Sequence, residues 1–362
     1  MEKKLQKILN TTFIIITFIV FAYFIVGECL LPADRPTGND TCRTFHGKWE
    51  RVLEDGERQP VKVPGKCRAD RNELVTVETR LPGRIGHNKY LCFRSAKQDM
   101  NFYIDGKLRQ TYSTKDTRLF GRMSAVAYIF LEIREKDAGK LLQVETKTDS
   151  AYSGIVYTVY YGTPLGVWNH FFKQFGLELI VAFVTLILSI VAIVGSMSLR
   201  FYYHRKVPLE YLGWGILIAA VWLITNSTFR QLLFPNISIV NDMTFLMIML
   251  LSLPYLLYMD EIQKGRYRKG YHTLEIIVII NFAVYSTLHI TRCRDFTDTI
   301  GYVSFFCIVS ILWLILTILV DLFRKQAGDY LFVAIGMFGV CVAAFVQIII
   351  YFQRVNLFNG VI

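Results

Sequence analysis

The chain has 362 residues, of which 53% are hydrophobic, 14% aromatic and 19% charged, with a net charge of +11. The apolar excess lies in one run near the start and in six runs after Leu177, whereas residues 27–172 have an ordinary soluble composition; this excludes a cytosolic enzyme, a disordered chain and a single buried core. Residues 27–172 carry 23 basic and 18 acidic side chains in mixed order, so the positive charge is no nucleic-acid footprint and no nucleic-acid partner is expected.

The first run, 12–26, follows MEKKLQK. No small-residue cleavage pattern follows it, and Glu28 stands directly before Cys29, so residues 1–26 read as a retained signal-anchor helix. Six further runs, 177–199, 209–229, 243–259, 273–290, 301–322 and 330–352, have the length of membrane-spanning helices. In hydrocarbon every peptide group must be hydrogen-bonded within its own segment, which leaves helix as the only form for such continuous runs. Lys and Arg number twelve in the 35 residues of pieces 1–7, 200–208, 260–272 and 324–329, against four in the 33 residues of 230–242, 291–300 and 353–362. The excess of positive charge places the first set in the cytoplasm and residues 27–172 outside the cell membrane. The tail QRVNLFNGVI reads as the start of another apolar run, so a further span and a cytoplasmic output domain are expected beyond it.

Between the first run and the others, LVTVETRLP, KYLCFRS, MNFYIDGKLRQTY, VAYIFLEI, KLLQVETKT and GIVYTVYYG alternate or are rich in β-branched and aromatic residues. Asp105-Gly106 marks a tight hairpin turn. The fold class expected is therefore a membrane protein with an N-terminal helix, an antiparallel β-sandwich over 27–172 with Leu91, Phe93, Phe102 and Ile104 in its core, and a helical bundle over 173–362. The order of Trp49, an apolar strand, LCFRS, MNFYIDGKL and a strand with LQVET resembles the galactose-binding-like jelly roll. That resemblance implies a fold more than a ligand.

Trp49, Tyr103, Tyr112 and Tyr128 are the candidate ligand-binding side chains, because an aromatic face can stack on a sugar ring. Cys29, Cys42, Cys67, Cys92 and Cys293 fall outside, with Cys67–Cys92 and Cys29–Cys42 as candidate bridges between which spacing does not choose. The histidines at 46, 87, 170, 204, 272 and 289 are scattered, and no phosphate-binding loop or nucleophile elbow is present, so no metal, cofactor or catalytic residue is named. Polar groups within or near the spans are Asn226, Ser227, Thr228, Glu275, Asn281, His289 and Gln347, with Glu178, Glu210 and Asp321 near their ends. Pro254 should bend its helix, and Gly336 and Gly339 permit close helix contact.

An outer β domain followed by closely spaced spans resembles the sensory half of bacterial seven-transmembrane receptors with diverse intracellular signalling modules. The resemblance implies a receptor passing an outside signal to a cytoplasmic output such as a diguanylate cyclase or kinase. The expected partners are the lipid bilayer, an extracytoplasmic small molecule such as a carbohydrate, and a second copy of the chain. The competing reading is a membrane enzyme or transporter for a cell-surface carbohydrate or lipid-linked precursor, which would need several embedded His, Asp or Glu residues. The charge distribution predicts that a membrane-impermeant amine reagent modifies Lys97 and Lys115 from outside intact cells; modification only after the interior is opened would overturn this topology.

Overall fold

The computed structural model describes residues 2–30, 42–204 and 208–359. The chain divides into two compact units, Met1–Asp40 and Thr41–Ile362. In the first, α1 (Glu2–Leu30) is one continuous helix whose apolar stretch is Thr11–Tyr23.

The second unit opens with two antiparallel sheets. One runs β1 (Cys42–Thr44), β12 (Tyr160–Gly162), β6 (Lys89–Arg94), β9 (Tyr128–Ile133). The other runs β3 (Arg58–Val61), β2 (Trp49–Val52), β5 (Val75–Arg80), β10 (Leu141–Lys147), β7 (Asp99–Ile104), β8 (Lys107–Tyr112), while β4 (Gly65–Lys66) pairs with β11 (Ile155–Val156). Alternation decides which side chains meet: Met100, Phe102 and Ile104 point inward from β7 and face Leu142 and Val144 of β10 on the same side. Leu91, Phe93, Ile129, Leu131 and Tyr161 of the smaller sheet close the same core. Asp105 and Gly106 both have positive φ, 54° and 73°, the geometry whose twist matches a two-residue hairpin. β1 to β4, short strands with little alternation, give too weak a pattern to stand out in the sequence.

The four-stranded sheet is covered on its other face by helix. Thr163 caps α2 (Pro164–Tyr203), accepting a hydrogen bond from the Gly166 N–H at 3.1 Å, with Pro164 at the first helical position. The helix thus starts well before the apolar run, so residues 164–172, grouped by composition with the β segment, are its first turns. Val167, Phe171, Phe175 and Leu179 share one face at i, i+4 spacing and pack on Cys92, Tyr128, Phe130 and Tyr160. This seam explains why the sheet and the helices fold as one unit.

Among the described residues six helices are long and apolar enough to cross a membrane: Pro164–Tyr203, Leu209–Asn226, Ile237–Ile262, Arg268–Ile290, Phe296–Phe323 and Gly328–Ile349. They correspond to α2, α3 (Leu209–Asn226), the pair α5 (Ile237–Leu250) and α6 (Ser252–Ile262), α7 (Arg268–Ile290), α8 (Phe296–Phe323), and α9 (Leu331–Asn359) with its leading turn. A one-turn helix, α4 (Arg230–Leu233), follows α3. The interruption at Leu251 lies one turn before Pro254, whose ring crowds the carbonyl four residues back and which has no N–H to donate.

At the far end of the bundle Asp321 is fully buried and is held by Arg266 at 3.0 Å, Tyr267 at 2.9 Å, Gln263 at 3.2 Å and the Tyr330 hydroxyl. The Tyr271 hydroxyl extends the network to Gln263 at 2.7 Å and Thr317 at 2.8 Å. A buried carboxylate with this many donors ties α7, α8 and the turn before α9 together.

Three sequence expectations change. Lys97, taken as an accessible reporter, is only 9% exposed, whereas Lys115 is exposed. Gly336 and Gly339 face open space, and a close helix contact is made instead at Gly213, where a Cβ would lie 2.8 Å from the Ile193 side chain on α2. Cys67 and Cys92 carry free thiols on opposite faces of the small sheet, Cys67 in the sandwich core and Cys92 beneath α2, so they are not bridged. Cys42 is also free; the side chain of Cys29 lies outside the described residues.

Phe102 is completely buried at the centre of the sandwich. Phe102→Ala should lower unfolding stability by about 3–5 kcal/mol in denaturant titration of the detergent-solubilised chain; a loss below about 1 kcal/mol would contradict this core.

Candidate functional site

Between β8 and β9 the chain makes a long excursion, residues 113–127, that crosses the ends of α4, α5, α7 and α8. The strap has its own scaffold. Ser124 Oγ accepts from the Thr114 N–H at 2.9 Å and donates to Asp99 at 2.5 Å, and the Tyr112 hydroxyl donates to the Ala125 carbonyl at 2.6 Å. Its outer surface is spent on the helices. The Gly121 N–H donates to the His289 carbonyl at 3.3 Å, and the Arg122 N–H to both oxygens of Asp295 at 3.0 Å. Arg230 donates to the Val126 carbonyl at 2.7 Å, Asn236 to the Thr117 carbonyl at 3.3 Å, and Gln231 both accepts from and donates to the Tyr128 backbone at 2.7 and 3.1 Å.

Gly121 is required here on two counts. Its φ is +73°, and a Cβ would stand 2.5 Å from His289 Cε1 and 2.6 Å from Asp295 Oδ1.

Charged side chains converge under the strap. His289, near the end of α7, lies with Nε2 3.3 Å from Asp242 of α5 and Nδ1 3.1 Å from Asp295, the residue preceding α8. Its ring stacks on Phe296 with centroids 3.9 Å apart. Both nitrogens make ion-pair approaches whose angles are too bent for good hydrogen bonds. Asp298 faces Arg71 at 3.3 Å and Arg122 at 3.9 Å, and Arg122 also reaches Asp149 at 3.0 Å. Lys97, in the left-handed conformation with φ of 58°, inserts from the β region, donates to the Thr297 hydroxyl and sits 4.3 Å from the Phe245 ring centre.

Burial, aided by the Arg230 charge, pulls the Lys97 ammonium down to about 7, against the opposing pull of Asp295, Asp242 and Asp298. Burial raises the Asp295 carboxyl, but the His289 contact and the Arg122 N–H outweigh it and hold the group below the ordinary carboxylate value. These groups border a small cleft with about 20 Å³ of cavity volume. His289 cannot serve as a free general base, since each ring nitrogen already faces a carboxylate.

The aromatic residues singled out from sequence are not brought together. Trp49 is buried in the sandwich, edge-on to Phe45 and Phe93. Tyr103 is half-buried on the outer face of the larger sheet beside Glu145. Tyr112 supports the strap, and Tyr128 packs on Trp168 and Phe171 in the sheet–helix seam. Of the polar span residues only His289 enters the cleft. Lys97, Asp242 and Asp295 were missed as site residues because each stands outside or at the edge of an apolar run. The available signal was three aspartates, Asp242, Asp295 and Asp298, close to the starts of apolar runs and on the same side as His289. Among the described residues no three His, Cys, Asp or Glu side chains converge to hold a metal ion.

No protein-family model matches the chain, and no curated protein or solved structure matches it significantly.

The two titrations both strengthen docking as pH rises, in separate windows. Lys97 binds its proton less tightly when docked than when free, so docking strengthens as pH rises from about 7 toward 10.5, and Lys97→Met should abolish that rise. Asp295 contributes docking stability above the ordinary Asp range, near pH 4, that is lost as pH falls through its depressed value; Asp295→Asn should remove the acid limb. Amide hydrogen exchange across 118–126, corrected for intrinsic rate and followed against pH, reads both, and a slope unchanged in either variant would refute its assignment.

Proposed function

We propose that the chain is the sensory half of a multi-pass membrane receptor, with the β region outside the cell and a signal passed through the helices to a cytoplasmic output, such as a diguanylate cyclase or kinase. The observation that carries this reading is the strap junction, in which one excursion from the β region binds the ends of four helices through hydrogen bonds and buried charge. A domain that only held a ligand could be tethered by its covalent link alone. Here a displacement of the strap must also move α7 or α8, or break several polar contacts in a nearly dry site.

α7 and α8 supply the rest of the path. They meet the strap at His289 and Asp295 and are joined at the far end by Tyr271, Thr317 and Asp321. Two discrete packings of such a pair would be biased by any ligand that prefers one of them. The clustering of His289 with Asp242 and Asp295 is the feature that a membrane enzyme would need, yet the double clamp on the imidazole favours a latch over a proton-transfer site. The jelly-roll resemblance and the basic connections between helices fit a β module held outside, though a carbohydrate ligand has no assembled aromatic platform to receive it.

Gly121→Val should open the junction by placing a branched side chain against His289. Coupling predicts that amides around Thr317–Asp321, at the opposite end of α8, then exchange several-fold faster in the nanodisc-embedded chain. Faster exchange confined to the strap would reject transmission through the helices.

A further inference from the structure

Arg94, at the end of β6, is exposed; its guanidinium carbon lies 4.6 Å from the Tyr157 ring centre and 6.0 Å from that of Tyr128. Arg230, the first residue of α4, is partly buried and commits one of its five N–H donors, to the Val126 carbonyl. Among the described residues neither guanidinium makes an ion pair, whereas Arg51 and Arg109, also partly buried, face Glu73 and Asp137. The two unneutralised groups share one patch. Arg94 stands opposite Tyr128 in the β6–β9 register and so projects from the same face. Tyr128 packs on Trp168, whose ring lies 6.2 Å from that of Phe229, the residue before Arg230. Burial and the Arg94 charge together pull the Arg230 guanidinium down to about 10, with only tyrosines opposing. Contact with an aromatic face offsets part of the cost of a desolvated cation, and a counter-charge is what the patch lacks.

We propose that this patch binds a phosphate group, its oxygens shared between Arg94 and Arg230. A phosphate presents its oxygens tetrahedrally, so guanidiniums from two separate elements reach different oxygens, whereas a planar carboxylate is matched edge-on by one. The setting supplies such a group. The patch lies just beyond the end of α3, among the rings of Tyr128, Tyr160, Trp168 and Phe229, and Tyr and Trp gather where a membrane meets water. Beside Arg230, Leu232 and Leu233 are 58% and 40% exposed and offer acyl chains an apolar surface. A phospholipid headgroup and free phosphate carry the same chemistry from two sources. Because Arg230 also holds the Val126 carbonyl, a bound phosphate would anchor that end of the strap.

Calorimetry of the full chain in a phosphate-free maltoside detergent tests the site without reference to any output. The probes are inorganic phosphate and dihexanoyl phosphatidic acid, with dihexanoylglycerol as the control that lacks the phosphate. Binding of phosphatidic acid alone identifies a lipid headgroup, and binding of inorganic phosphate identifies a free anion; either supports the proposal. Affinity should fall about tenfold or more in Arg94→Gln, an exposed side chain outside the strap's scaffold, with unchanged thermal unfolding showing that the variant is folded. Arg230→Gln should weaken binding to a similar degree, and Arg230→Lys, which keeps the charge without the paired donors, by less. Absence of binding by both phosphate probes, equal binding of dihexanoylglycerol, or undiminished binding in Arg94→Gln would overturn it.

Discussion

A lysine and a histidine can be held out of water where strands meet helix ends only because carboxylates from two other elements converge on the same spot. Asp242 comes from α5, Asp295 and Asp298 from the start of α8, and together they face His289, Arg71, Arg122 and, less closely, Lys97. Removing one partner from such a set leaves an uncompensated buried charge, which is far more costly than the net gain of any single pair. The strap's path, the left-handed Gly121 and the position of Lys97 all follow from keeping this cluster intact.

A second constraint is apolar and lies along the other side of the β region. The small sheet is buried on both faces, by the larger sheet on one and by the first turns of α2 on the other. Its strands therefore carry consecutive buried residues, as in Leu91, Cys92 and Phe93, where a half-solvated strand would alternate. Seam and junction hold the β region at two separate places, which fixes its orientation on the helices as one contact would not. At the far end the Asp321 network does the equivalent work for the bundle itself.

Much of this was legible from local pattern. The six alternating segments became β5 to β12, the Asp105-Gly106 hairpin took the positive φ values its residues favour, and each of the six long apolar runs is taken up largely by helix, although α3 stops at Asn226, short of the end of the 209–229 run, and the 243–259 run is broken at Leu251. These features depend on neighbours a few residues apart, where composition and period speak directly. The candidate site did not behave this way. Trp49, Tyr103, Tyr112 and Tyr128 share a chemistry but occupy four different surroundings, because face and layer, which residue type does not encode, decide what an aromatic ring meets.

The amino-acid sequence by itself determined the alternation of strands, the positions of the apolar helices and the unequal distribution of basic residues between their connections. Those properties arise from side-chain period and from the cost of placing charge in hydrocarbon, which act segment by segment. Tertiary structure alone decided that Lys97 leaves solvent, that His289 stands between Asp242 and Asp295, and that the strap lies across four helix ends. Each of those pairs residues far apart in the chain, and only the packing of sheet on helix fixes which distant charges must neutralise one another.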